Sequence, residues 1–350
     1  MKKLVSLFAL LACMATAYAQ NALVATLNHN DTIKVYYGAN ALKDAHSAAV
    51  NGDVITLSSG TFLATDITKG ITLRGAGAWA DTVAKRMPTV ISGDFKIGKL
   101  GTSLNIGNLI IEGIFHNHTI TVHGTVTNGK FLKSRIKTVD CDYYSNDKGH
   151  FSNTIFIHCH ITNYIDLYTS DVQFYNSIIN RTDLNESSSS YASFTNCILY
   201  YSSQNNSSPA AIKNATFNNS ILYQKSTVTI DNSCMAYNCV NPNKSTTDRL
   251  LFKNISNNTN TYTTSEVLFK TYRSGDFTND SETFELTDSA KTTFLGTDGT
   301  QVGIYGGDFP FDPTVSVPQI TKFEVAKQST ADGKLNVNIE VNAAAIEPKK

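Results

Sequence analysis

Five stretches of this chain align without gaps: Phe131-Leu132-Lys133-Ser134-Arg135-Ile136, Phe156-Ile157-His158-Cys159-His160-Ile161, Phe174-Tyr175-Asn176-Ser177-Ile178-Ile179, Phe194-Thr195-Asn196-Cys197-Ile198-Leu199 and Phe217-Asn218-Asn219-Ser220-Ile221-Leu222. Each has an aromatic ring, a Ser or Cys three places later, and an aliphatic residue two places beyond that, while the residues between vary. Constant apolar or small positions in a variable frame point inward. The phenylalanines are 25, 18, 20 and 23 residues apart with no helical pattern between them. That spacing is too short for a helical crossover between parallel strands and fits one coil of a solenoid. Weaker copies run upstream through Ile71-Thr72-Leu73-Arg74-Gly75, Val90-Ile91-Ser92-Gly93 and Ile110-Ile111-Glu112-Gly113.

The third position of the unit reads Lys133, His158, Asn176, Asn196, Asn219, so three asparagines are expected to stack at one corner. Asn tolerates left-handed backbone and can bond its neighbours along such a stack. The fifth position is apolar in three successive units, Ile178, Ile198 and Ile221, and an exposed stripe of that kind requires a cover. Composition agrees with a sheet-rich chain: 33 Asn and 41 Thr occur in 350 residues, and the charged fraction, 17%, falls below the roughly 25% of an average domain. The 29 basic and 29 acidic side chains cancel, which excludes strong sequence-independent attraction to nucleic acid or anionic membranes.

Upstream of the units, Tyr36-Tyr37-Gly38-Ala39-Asn40-Ala41-Leu42 leads into a short amphipathic helix to about Val50, with Asn40 placed to cap it and Gly52 to end it. Gly52-Asp53-Val54-Ile55-Thr56-Leu57 and Ser59-Gly60-Thr61-Phe62 follow. With its asparagine corner and repeated aromatic, the chain resembles the pectin-lyase-like superfamily over about residues 22 to 312. That resemblance implies an all-β fold, a right-handed parallel β-helix solenoid, in which the helix caps the open coil end against edge pairing. The segment Gly296-Thr297-Asp298-Gly299-Thr300-Gln301-Val302-Gly303-Ile304-Tyr305-Gly306-Gly307 resembles the terminal turn of many secreted bacterial members.

Three parts are expected: a signal peptide over residues 1–19, the parallel β-helix domain over 20–312, and a linker with a β-hairpin tail over 313–350. Lys2-Lys3, an apolar run from Leu4 and Ala17-Tyr18-Ala19 have the order of a cleavable secretory signal. A competing reading takes Leu10-Leu11-Ala12-Cys13 as a lipidation box. Either places the protein outside the cytoplasm, and no later window has the ~18 apolar residues of a transmembrane segment. In the tail, Ile320, Phe323 and Val325, an Ala331-Asp332-Gly333 turn, and alternating Leu335, Val337, Ile339 and Val341 form the hairpin. It is the expected cover for the Ile178 stripe. Past the signal, Cys141, Cys159, Cys197, Cys234 and Cys239 are odd in number. Cys234 and Cys239 can pair locally or stay free, whereas Cys159 and Cys197, with Ser177 between them in the stack, are expected reduced and inward.

Chemistry is less legible. Calcium-dependent pectate lyases, which resemble this chain in fold, stack outward carboxylates, where this sequence has Ile178, Ile198 and Ile221. Of the ordered motif series of polygalacturonases only Arg135-Ile136-Lys137 is present. Histidines His116, His118 and His123 lack an evident further metal ligand, and neither a metal nor a cofactor is expected. One constellation stands out. Lys133, Arg135 and Lys137 alternate on one coil, His158 and His160 match them on the next, and the intervening loop carries Asp140, Asp142, Tyr143, Tyr144 and His150. Stacked ~4.8 Å apart, these side chains form the candidate ligand-binding patch, suited to an extended acidic glycan. Its binding should weaken with salt and strengthen below about pH 6.5 as histidines gain protons. Tyr200, Tyr201 and Tyr223 are a second candidate, as an exposed aromatic platform or as packing.

The expected function is a secreted or surface-associated scaffold, adhesin-like or carbohydrate-binding and non-catalytic, whose partner is a polysaccharide or cell-surface glycan. The alternative is a polysaccharide lyase or glycoside hydrolase acting on an acidic glycan at the Arg135/His160 patch.

Overall fold

The computed structural model describes residues 23–342 except 81–86, 142–147, 168–170, 184–190, 202–210, 225–228, 231–232, 243–250, 253–254, 256–258, 272–282, 317–318, 326–331 and 335–336. Residues 1–19, expected as a signal peptide, and with them Cys13, lie outside the described residues. From Val54 onward the coils stack as parallel strands on three faces. The first face is an eleven-stranded sheet ending at Met235–Tyr237, the second a twelve-stranded sheet from Gly60–Leu63 to Thr261–Tyr262. The third is short, made of Asn105–Gly107, Thr125–Thr127 and His150–Ser152. This is the expected parallel β-helix.

The repeat register holds. Phe131 pairs with Phe156, Phe156 with Phe174, Phe174 with Phe194 and Phe194 with Phe217. Their rings stack at centroid distances of 4.5, 4.9, 4.8 and 5.1 Å, and all five are fully buried. Ala236 continues the column beneath Phe217, a sixth unit that lacks the aromatic. Units of unequal length tolerate this register because the extra residues enter between strands, where only the ends must meet.

Every third-position residue is left-handed: φ is 49° at Lys133, 53° at His158, 44° at Asn176, 53° at Asn196, 53° at Asn219 and 50° at Asn238. Each makes the turn between the first and second faces. The turn carries the next N–H out of the strand ladder, and a buried N–H needs a partner. The Ser/Cys position supplies it, since Cys159 N–H donates to Ser177 Oγ and Cys197 N–H to Ser220 Oγ, both at 3.0 Å. Cys159, Cys197 and Cys239 thus alternate with serines inside the core, and the Cys234 and Cys239 pairing is not formed. Burial pushes the thiols of Cys159, Cys197 and Cys239 up to about 12, and a thiol that stays protonated is a poor nucleophile. The five described cysteines are buried thiols outside any disulfide, so a disulfide dye should label none of them in the native protein and all of them in denaturant. Labelling of Cys197 without unfolding would remove it from the core.

At the first coil, β1 (Val24–His29) and β2 (Thr32–Tyr37) form an antiparallel hairpin through left-handed Asn30 and Asp31, and β1 pairs antiparallel with Val54–Leu57. This hairpin was not among the elements expected from the sequence. Helix α1 (Ala41–Ala48) covers the same coil end, burying Ala41, Leu42, Ala45 and His46. Asn40 occupies the position before the helix, but its side chain makes no capping bond, and the helix stops at Ala49, ahead of Gly52. Lys69 does the terminating: its Nζ donates to the carbonyls of His46, Ser47 and Ala49 at 2.7, 3.1 and 2.7 Å, a cation on the negative helix end.

The isoleucine stripe is covered, though not by the tail. Ile178, Ile198, Ile221 and Val240 form a second core with Leu268 and Phe269 beside helix α2 (Ser265–Leu268), with Phe284, Leu286 and Ala290 of and before helix α3 (Asp288–Thr293), and with Val302 and Ile304. Tyr200 lies in this core, stacked on Tyr223 at 5.3 Å, so it packs rather than forming a platform; the Tyr201 side chain lies outside the described part. The tail strands Gln319–Val325 and Val337–Asn342 form their own antiparallel sheet.

Candidate functional site

The third-position corner is where the structure concentrates polar side chains, and it holds a strap. Residues 295–316 run back along the solenoid from the last coils toward the first, bonded to the corner residues Asn238, Asn219, Asn176, His158 and Lys133. Asn238 Nδ2 donates to Leu295 O at 3.0 Å, and Asn219 Oδ1 accepts from Thr297 N at 2.9 Å. Asn176 Nδ2 donates to the carbonyls of Ile304 and Gly306, both at 2.9 Å. His158 Nε2 lies 3.0 Å from Phe309 O, and Nδ1 lies 3.1 Å from the carbonyl and 3.4 Å from the N–H of Asp312. Lys133 Nζ donates to Thr314 O at 2.6 Å, and Glu112 Oε1 accepts from Ser316 N at 2.6 Å.

Asn176, Asn219 and Asn238 therefore bond outward to the strap, not along the stack as expected. Geometry explains the choice: a carbonyl of an irregular segment lying on the corner has no ladder partner, while the corner amides project toward it. The Gly296 to Gly307 segment that resembled a terminal turn belongs to this strap. Gly307, at φ 75°, lies so close to Asn196 Nδ2 that a Cβ there would meet it at 2.5 Å.

Aromatic rings clamp the upper strap. Phe309 stacks on His158 with centroids 4.5 Å apart, and Phe311 tilts against the same ring at 5.6 Å and meets Trp79 edge-on at 5.9 Å. His158 is fully buried and Lys133 is 1% exposed. Burial, with the Lys133 cation beside it, lowers His158 to about 4. Burial also pushes Lys133 below its ordinary value, while Asp312 at 3.9 Å and Glu112 pull the other way. Arg74 Nε lies 3.3 Å from the buried Glu112 carboxylate.

The other sequence-derived residues lie on the second face. Arg135 pairs in register with His160; His160 is buried, Arg135 half-buried, and the Arg135 guanidinium sits 4.8 Å over the Phe115 ring of the preceding coil. Lys137 is exposed at a bulge. Asp140 is buried, three residues farther along the strand, and its Oδ2 accepts from Tyr164 OH at 3.0 Å. Burial and that carboxylate push the Tyr164 phenol up. Arg181 stands 5.5 Å over the Tyr164 ring. Asp142, Tyr143 and Tyr144 lie outside the described residues, and His150 is on the third face, 2.8 Å from Thr125 Oγ1. His116, from the second histidine group, is buried against the carbonyls of Ile91 and Thr119 at 2.8 and 3.2 Å.

The seven candidates thus divide. Lys133 and His158 meet at the corner and hold the strap; Arg135, His160 and Lys137 continue beyond it; Asp140 joins Tyr164. Sequence reasoning missed Phe115, Tyr164, Arg181 and the strap contacts of Glu112. Phe115 and Tyr164 were findable as aromatics on outward positions of strands next to the basic unit. Comparison with protein-family models, curated proteins and solved structures returned no match.

Proposed function

We propose that this chain is an exported, pectin-lyase-like β-helix scaffold of adhesin-like character, without catalysis, that binds an acidic polysaccharide or cell-surface glycan on its second face. The observation that carries this reading is the engagement of Lys133 and His158 by strap carbonyls. That takes these two out of acid–base work, since a general base needs a lone pair within reach of substrate, and of the Arg135/His160 pair of the lyase alternative His160 is buried. What faces outward beside them is recognition chemistry: Arg135 over Phe115, Arg181 over Tyr164, and exposed Lys137. Cations spaced along adjacent coils can follow the carboxylates of an extended glycan, and the rings add flat apolar surface.

A glycan array supplemented with soluble uronate polymers tests this. Binding to acidic members is expected, weakening as salt rises. Arg135→Ala and Lys137→Ala should each lower affinity about tenfold, a typical loss for a charge-assisted contact. Because His158 stays neutral down to about pH 4, it adds no charge between pH 7 and 5. The expected rise in binding below pH 6.5 is therefore withdrawn for that residue. An array without acidic hits, or hits indifferent to both substitutions, sinks the proposal, and release of unsaturated sugars from a uronate polymer would replace it with the lyase alternative.

A further inference from the structure

Two open strand edges of this chain are matched. In β2, Ile33, Val35 and Tyr37 point away from the core and are 65%, 45% and 69% exposed. In the tail strand Val337–Asn342, Val337, Ile339 and Val341 are 49%, 50% and 57% exposed. Both strands have six residues. Among the described strands, β2 pairs only with β1 and the tail strand only with Gln319–Val325. The tail's remaining apolar residues, Ile320, Phe323 and Val325, pair with Val341, Ile339 and Val337 on the same sheet. A two-stranded hairpin is marginal alone, and an open apolar edge is a template for another strand.

We propose that the tail hairpin of a second copy of this chain adds to the open edge of β2, and that the exchange is reciprocal, closing a two-fold dimer. One antiparallel register satisfies both strands. With Val35 opposite Ile339, Ile33 falls opposite Val341 and Tyr37 opposite Val337. The same register sets Lys34 opposite Glu340, an opposite-charge pair on the other side of the sheet. A one-residue slip in either direction sets Ile33 and Val35 against Asn or Glu. A second β2 is a poor occupant, because the antiparallel register pairing Ile33 with Val35 opposes Lys34 to Lys34.

The strap supplies the geometry for a second copy. It ends with Ser316 on Glu112, whose strand is two places from Val54–Leu57 in the first sheet, so the tail departs near the end that carries β2. Each chain's own tail forms a separate sheet. Two copies meeting at these ends can exchange both tails, and a closed isologous contact stops at two.

Sedimentation of the full-length chain across a range of concentrations tests the proposal, with thermal melts confirming that each variant folds. The wild type should reach a monomer–dimer equilibrium. Lys34→Glu and Glu340→Lys should each weaken it about tenfold or more, as two like-charge pairs replace two favourable ones. The double exchange should restore it. A monomer at every concentration, which intramolecular docking would also produce, overturns the proposal. So does a dimer untouched by the single changes, or one that the double exchange fails to recover.

Discussion

Phe194→Ala will destabilise the protein by ~3–5 kcal/mol, the cost of deleting a fully buried aromatic side chain. The ring stacks on Phe174 at 4.8 Å and on Phe217 at 5.1 Å. Its removal leaves a void that two coils share. The backbone cannot collapse into it, because the parallel ladders on either side hold the coils at ~4.8 Å spacing, so little of the cavity cost is recovered by relaxation. Neighbouring coils also stabilise one another in a solenoid, and a weak coil uncouples those beyond it. Urea melts followed by circular dichroism and by ring fluorescence measure the loss. An unchanged midpoint would place the Phe194 ring outside the core; non-coincident transitions would show that the two halves unfold separately.

Acid will loosen the strap. His158 is held at about 4 in the folded protein against 6.5 when unfolded, so the unfolded chain binds the extra proton first. The stability from the neutral ring is therefore intact above pH 6.5, falls as pH drops below 6.5, and is fully lost by about pH 4. The shift corresponds to on the order of 3 kcal/mol. His46, on the buried face of α1 and lowered to about 4 by that burial, contributes in the same direction at the first coil. His158→Asn separates the two. Asn is the residue that the next coils use at this corner, at the same left-handed backbone, and it retains an amide donor for the Phe309 carbonyl. The variant should be close to wild type at pH 4 and show a flatter decline between pH 6.5 and 4. An identical pH profile would mean that His158 titrates normally and the strap is not clamped through its neutral ring.

The repeat read from sequence was a statement about periodicity, and periodicity survives folding because each coil contacts mainly its neighbours. That is why the Phe131 to Phe217 column, the alternation of Ser and Cys, and the left-handed corner were all legible before any coordinates. So was the need for a cover over Ile178, Ile198 and Ile221. The identity of the cover was not, because residues 284–304 reach that stripe by a path with no repeat, and an alternating hairpin such as the tail offered an equally apolar face. Asn40 and Gly52 failed for a similar reason: the helix end is set by Lys69, which comes from the following coil and has no local signature.

The site divides along the same line. By itself, the sequence determined that Lys133 and His158 share one corner and that Arg135 meets His160 on the next face, since a parallel register transfers alignment directly into contact. Only the tertiary structure decided that the corner lies under residues 295–316, which turns a basic patch into a set of clasps. Strap residues bond to coils up to 204 positions away in the chain, and partners so distant are selected by the shape of the folded solenoid, which no local pattern encodes.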